Sequence, residues 1–284
     1  MLGPSNSKFG VDTMRVIRHD HDQVISKDHP YIAYFFADTH FGNHGLRKKL
    51  LASHIEMVRR EGADWFHLGD WCEYITPNDK RYTATNPAPD VETQKMMAID
   101  AFEPIKDQGV ALLAGNHENS IARFYGDPMT PISNALGVPY LGYSGFVPLK
   151  LRSSSTQSKG YPIFLHHGHG GGMLYGGKLN NLHRLSHKFE ADIYGVGHVH
   201  TWSNPIDEVI GIKTSGLRRP KFLKKRRQYF SCPSYFDPYV QDNGSNYAQR
   251  AALYPQPCGC VRMTISFGGM DRGQWNVKLE AVLE

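Results

Sequence analysis

An α/β fold with two packed β-sheets flanked by helices is predicted by three features of this 284-residue chain. Five apolar runs rich in β-branched and aromatic residues, each bounded by Gly, Asp or Asn, read as buried strands. They are YIAYFFADTH from Tyr31, ADWFHLGD from Ala63, VALLAGNHE from Val110, YPIFLHHGH from Tyr161 and ADIYGVGHVH from Ala191. Stretches of helical period lie among them. Three further runs alternate with period two: Val147, Leu149 and Leu151; Val261, Met263 and Ile265; Trp275, Val277 and Leu279. Alternation suits strands with one buried face, whereas the five continuous runs suit burial on both.

Taken in order, residues 1–29 are a polar N-terminal lead-in. Their HDHD string, His19 to Asp22, precedes the first clear strand, lacks a partner cluster and is expected to be solvated. Residues 30–284 are expected to form a single domain, since the five runs spread over most of the chain. A helix is predicted from His44 to Gly62, with Leu46, Leu50, Leu51, His54, Ile55 and Val58 on one face and Gly62 as its stop. A second runs from Val91 to Lys106, and a third from Lys178 to Phe189 stripes Leu179, Leu182, Leu185 and Phe189. Between the first two, residues 73–90 are turn-rich, carry three prolines and have no apolar period. Such a loop after a strand serves as a lid or substrate wall, or equally as a plain surface excursion. No internal repeat or low-complexity tract is present.

Composition narrows the classes. A formal net charge of +5 is modest and argues only weakly for an anionic partner. Cys72, Cys232, Cys258 and Cys260 form no CxxC pair and no disulfide pattern, which favours a reducing compartment; Cys258 and Cys260 receive no role. The N-terminal segment lacks the apolar core of a signal peptide, and no run approaches the ~18 apolar residues of a membrane span. A cytoplasmic protein without membrane contact is expected. The sequence sets no oligomeric state.

The strand ends carry the chemistry. Asp38 and His40, Asp70, Asn116 with His117, His167, and His198 with His200 close the five runs. In open α/β sheets ligand-binding side chains gather outside the carboxyl ends of strands, so these residues are expected to converge. Asp and His offer hard oxygen and borderline nitrogen, suited to Mn²⁺, Fe or Zn²⁺, and no cysteine joins them, which points to a catalytic rather than a structural metal. Two cations ~3.5–4 Å apart need a bridging carboxylate, and Asp70, alone after Gly69, is the natural bridge. The spacing of Asp38 and His40, and of His198 and His200, puts each pair on one face of an extended segment. His67, His44, His54, His183 and His187 are read as core histidines.

The ordered motifs ADTHFG, LGD, GNHE, HHGH and GHVH, within residues 31–201, resemble the five signature blocks of the calcineurin-like metallophosphoesterase superfamily. That resemblance implies a four-layer αββα sandwich and a two-metal-dependent phosphoester hydrolase. Carried over by residue, Asp38, His40, Asp70 and His200 would bind the first metal, and Asp70, Asn116, His167 and His198 the second. Asn116 would ligate through its carbonyl oxygen. His117 would face the substrate, stabilising the phosphoryl group or protonating the leaving oxygen, with Glu118 orienting it, while a metal-bridging hydroxide attacks phosphorus. His167 is chosen over His166 because the family pattern is an apolar strand followed by His-Gly-His. The first block reads D-x-H-F-G where many members have D-x-H-G, so the loop after His40 is expected to differ in shape. Mn²⁺ is the first expectation for both metals, with Fe and Zn²⁺ as alternatives.

For the substrate, Arg218, Arg219, Lys221, Lys224, Lys225, Arg226 and Arg227 precede Tyr229, Phe230, Tyr235, Phe236 and Tyr239. Basic residues beside aromatics suit a phosphate backbone and stacked bases, although a solvated charge run leading into a core strand has the same appearance. The run tips the reading toward a phosphodiester, either nucleic acid or nucleotide, and thus a phosphodiesterase or nuclease. Candidate substrate contacts are Asn116, His117, His169, Arg226 and Arg227. Gly168, Gly170, Gly171 and Gly172 leave room for a phosphate or simply turn the chain into the third helix. The alternatives are a phosphomonoesterase or nucleotide pyrophosphatase and, from another class, a non-catalytic metal-bearing interaction module.

Overall fold

The computed structural model describes residues 14–77, 79, 82, 88–170, 174–213, 221–239, 252, 254–268 and 274–284. Much of the expected lid segment, Gly171 and Gly172, and Arg218 and Arg219 lie outside the described residues. In chain order the elements begin with β1 (Arg15–Val16), β2 (His19–Val24), β3 (Tyr31–Phe36), α1 (Lys48–Glu61), β4 (Asp64–His67) and α2 (Val91–Phe102). Next come β5 (Gly109–Leu112), α3 (Asn116–Tyr125), α4 (Met129–Leu136), β6 (Ser144–Arg152), β7 (Ser158–His166) and α5 (Tyr175–His183). The chain closes with β8 (Ile193–Val196), β9 (Ile206–Lys213), β10 (Lys221–Ser231), β11 (Gly259–Phe267) and β12 (Trp275–Leu283).

Two mixed sheets result. A 5-stranded sheet has the order β12-β11-β3-β4-β5, and a 7-stranded sheet runs β1-β6-β7-β8-β10-β9, with β2 also paired to β6. Strands β3, β4 and β5 are mutually parallel, as are β7, β8 and β10. The segment YIAYFF shows why these strands need no polar face. Tyr31, Ala33 and Phe35 enter the core between the sheets, while Tyr34 and Phe36 enter the core under α1 to α4. A third cluster, with Phe164, Tyr194 and Tyr229, packs under α5. The layers are therefore helices, sheet, sheet and helix, as the sequence led us to expect. Each fully buried aromatic or aliphatic side chain contributes about 1.5–3 kcal/mol.

Several expectations are corrected. The lead-in is not wholly solvated coil: β1 and β2 extend the larger sheet by pairing with β6. His44, His183 and His187 are exposed rather than in the core, whereas His54 and His67 are buried. The second helix gives way after Phe102 to a 3₁₀ turn over Glu103–Gln108, and the third likewise ends in one over Arg184–His187. Helices α3 and α4 were not anticipated, because α3 begins inside the GNHE motif itself. The basic residues from Lys221 to Arg227, with Tyr229 and Phe230 after them, form one strand, β10, whose first half pairs, among the described residues, only with β9 as a ribbon.

Candidate metal centre

Every expected ligand sits just past a strand end, and the structure brings all seven together from both sheets. Asp38, His40, Asp70, His198 and His200 have φ of 50°, 48°, 51°, 64° and 51°, left-handed values uncommon for residues with a side chain. Such a conformation costs on the order of 1–3 kcal/mol per residue and clusters at functional sites. The D-x-H and H-x-H pairs therefore do not share a face through strand alternation, as the spacing suggested; tight left-handed turns place them instead. Backbone contacts hold these turns. Asp38 N–H donates to Gly69 O at 3.0 Å and His40 N–H to Asp70 O at 3.1 Å. His198 N–H donates to the Asp38 carboxylate at 2.8 Å, which ties the two sheets together.

The donors fall into adjacent groups. Asp38, His40 and His200 have ligand atoms within 4.8 Å of one another, as do Asp70, His167 and His198, and also His40, Glu73 and His117. Asp70 is wholly buried, with Oδ2 3.2 Å from His167 Nε2 and Oδ1 accepting from His117 N–H at 2.9 Å. His167 donates from Nδ1 to Leu68 O at 2.7 Å, which leaves Nε2 facing the centre, the usual outer hydrogen bond of a metal-binding imidazole. Asn116 Oδ1 lies 3.2 Å from that Nε2. With its amide nitrogen turned inward, Asn116 would instead donate to His167 Nε2, to His198 Nδ1 at 2.7 Å and to Asp70 Oδ2. With its oxygen inward, four lone-pair donors converge, an arrangement that a cation stabilises. The residues thus fit a divalent metal, with oxygen and imidazole ligands only. The four cysteines are buried and free, and burial pushes the thiols of Cys72, Cys232, Cys258 and Cys260 up.

Electrostatics follow from crowding carboxylates and imidazoles in a largely buried site. Burial alone would lower His167, but the Asp70 and Asp38 carboxylates outweigh it and raise the imidazole to about 9. His198, disfavoured as a cation by burial and by His167, falls to about 4. Burial lowers His40 also, although Glu73 opposes it.

Glu73 was missed by sequence reasoning. Its Oε2 lies 3.0 Å from His40 Nδ1, and its backbone carbonyl accepts from His117 Nδ1. Nothing in the local sequence marks it, since a glutamate opening a turn-rich loop is unremarkable. Glu118, expected to orient His117, does something else: Oε2 accepts from Gly115 N–H at 2.7 Å and Asp70 N–H at 3.0 Å, and Oε1 from Cys72 N–H at 3.1 Å. It braces the Asp70 turn, and the group on His117 Nδ1 is the Glu73 carbonyl. Burial and the nearby Asp70 raise the Glu118 carboxyl to about 7.

Other expected contacts are placed less centrally. His166 turns aside, accepting from Gly168 N–H at 2.7 Å, which supports the choice of His167. His169 is exposed, with its ring 6.0 Å from that of His166 and outside the donor groups. Arg226 and Arg227 are not brought to the site. They precede Gln228, the first β10 residue paired with β8, so they lie toward the sheet end opposite the His198 turn. Arg226 pairs instead with Glu208 of β9 at 3.5 Å.

Fold and donor set together define an αββα sandwich with a metal-binding centre at the carboxyl ends of its strands. The chain belongs to the calcineurin-like phosphoesterase family, whose model matches residues 33–245. Among solved structures it is similar to Yfce, a phosphoesterase from E. coli, at 14% identity and TM-score 0.40, covering 88% of this chain and 99% of that one. A Vps29 double mutant from Entamoeba histolytica matches at 11% identity and TM-score 0.40, covering 89% and 99%. GAP50, the anchor in the inner membrane complex of Plasmodium, matches at 10% identity and TM-score 0.41, covering 89% and 84%. Among curated proteins, none matches the chain.

Proposed function

We propose that the chain is a two-metal phosphodiesterase acting on a compact diester such as a nucleotide. One observation carries this reading: two donor groups, Asp38–His40–His200 and Asp70–His167–His198, stand side by side. Asp38, His40 and His200 would hold one cation and Asn116, His167 and His198 the other, with Asp70 serving both. When bound, two divalent cations supply Lewis acidity to the phosphoryl oxygens and activate water as a nucleophile near neutral pH. Mn²⁺ is the first choice, with Fe and Zn²⁺ as alternatives suited to the same mixed oxygen and nitrogen set.

His117 acts on the leaving group. Its Nδ1–H is engaged by the Glu73 carbonyl, which orients the ring so that Nε2 can deliver a proton to the departing oxygen. Asp70 fixes the start of α3 through the His117 N–H and so sets the distance of that ring from the metals. The presence of His117 and of every ligand favours an enzyme over a non-catalytic module on the same fold.

The preference for a diester rests on charge. Among the described residues no arginine or lysine forms an ion pair with Asp38, Asp70, Glu73 or Glu118. A centre that neutralises phosphate with metals and histidines alone suits the singly charged diester better than the doubly charged monoester. The distance of the basic ribbon from the centre argues for a small diester over a polymer. The test compares bis-(p-nitrophenyl) phosphate with p-nitrophenyl phosphate in the metal-loaded protein, followed by a single-stranded oligonucleotide. Faster turnover of the diester supports the proposal; faster turnover of the monoester replaces it with a phosphomonoesterase, and efficient oligonucleotide cleavage with a nuclease.

A further inference from the structure

We infer that His19, His21 and Asp64 form a separate site for a zinc-type divalent cation, at the end of the sandwich away from the phosphoesterase centre. His19 and His21 are two apart on β2, and the strand's burial alternates: both histidines are half-buried, whereas Asp20 and Asp22 are exposed. Alternation therefore turns both imidazoles to one side. Asp64 opens β4 in the other sheet, and its Oδ2 lies 2.6 Å from His19 Nε2. One ligand atom from each of the three falls within a span of 4.8 Å.

A second observation comes from Tyr31. This side chain is buried, its ring packs edge-on to His21 with centroids 5.0 Å apart, and its hydroxyl has no well-aligned hydrogen-bond partner. Burial, together with the Asp64 carboxylate beside it, keeps the phenol protonated. With a cation bound, a hydroxyl in that position would be available to the outer shell as a donor to the Asp64 carboxylate. Two imidazoles and a carboxylate make the three-protein-ligand set of open zinc sites, with the remaining position left to water from the exposed side. Nitrogen donors select against Mg²⁺ and Ca²⁺.

The site is distinct from the phosphoesterase centre. Asp64 begins β4 and Asp70 follows its end, so at least about 10 Å of strand separates them. Because β2 belongs to the larger sheet and β4 to the smaller, a cation here would fasten the N-terminal strands across the layers. Tetrahedral ligation at ~2.0–2.2 Å asks His19 and Asp64 to part by about 0.7–1 Å from their present contact.

The experiment uses the full chain, with metal content measured after Zn²⁺ loading and dialysis. His21→Gln removes one ligand but leaves the His19–Asp64 pair, and so the local packing, intact. It should bind one zinc equivalent fewer than the parent, lose the zinc-dependent rise in Tm from this site, and hydrolyse bis-(p-nitrophenyl) phosphate unchanged. In an Asp70→Ala background, which disables the phosphoesterase centre, one equivalent should remain and disappear when His21→Gln is added. Unchanged stoichiometry in His21→Gln, or no zinc bound by Asp70→Ala, would show that His19 and Asp64 form an ion pair only, and would overturn the assignment.

Discussion

Glu118 reaches back from the first turn of α3 to accept the backbone N–H of Asp70 at 3.0 Å, so the carboxylate proposed to bridge the metals is positioned by a residue 48 places further along the chain. Two more backbone N–H groups, of Gly115 and Cys72, complete its partners. Glu118→Gln places an amide NH₂ against N–H donors and leaves at least one buried N–H unpaired. We expect a stability loss of about 1–3 kcal/mol in denaturant melts. Metal affinity should fall with it, and an unchanged affinity by titration calorimetry would disprove the bracing role.

His117 and Asp70 should separate binding from turnover. His117→Ala is expected to retain both metals and lose activity by about 10²–10⁴-fold, the range for a general acid. Asp70→Ala should lose both properties. Metal analysis beside initial rates distinguishes them, and full activity in His117→Ala would remove it from the mechanism.

Gly69 has φ of 95°, and a Cβ built there would lie 2.6 Å from His167 Nδ1 and 2.7 Å from Ala114 O. Gly69→Ala should therefore displace His167 from Leu68 O and weaken metal binding at the Asp70–His167–His198 group, although no candidate ligand is altered. The expected signature is loss of metal at concentrations that saturate the parent. Parent-like loading would show that the turn has slack.

Proton release accompanies metal binding. With no cation, the carboxylates hold a proton on His167 up to about pH 9. A raised value means that the proton is present below about 9 and must leave when Nε2 becomes a ligand, so affinity weakens as pH falls from there. Calorimetry in buffers of different ionisation enthalpy should detect release at pH 7–8. Buffer-independent heats would contradict it.

Much of this was legible in sequence because chemistry sits at strand ends, where composition changes abruptly. YIAYFF against Asp38, or YPIFL against His167, marks both an element and its functional end. What stayed hidden depends on approach in space. Glu73 gains its role only because its loop folds over His40 and His117, and His19 because Asp64, 45 residues away, comes to meet it. The basic run misled for a related reason: local charge density does not say which end of a strand lies beside a site. The conformation of Asp38 and His40 was equally invisible, since a D-x-H spacing reads alike in a strand and in left-handed turns.

The division of ligands between the sheets has a mechanical consequence. Asp38, Asp70 and Asn116 come from the smaller sheet, and His167, His198 and His200 from the larger. Prising the layers apart along their apolar interface must break the centre at the same moment. A filled centre should thus act as a rivet, slowing amide exchange in strands that touch no metal and turning chelation into a switch for how readily the layers part.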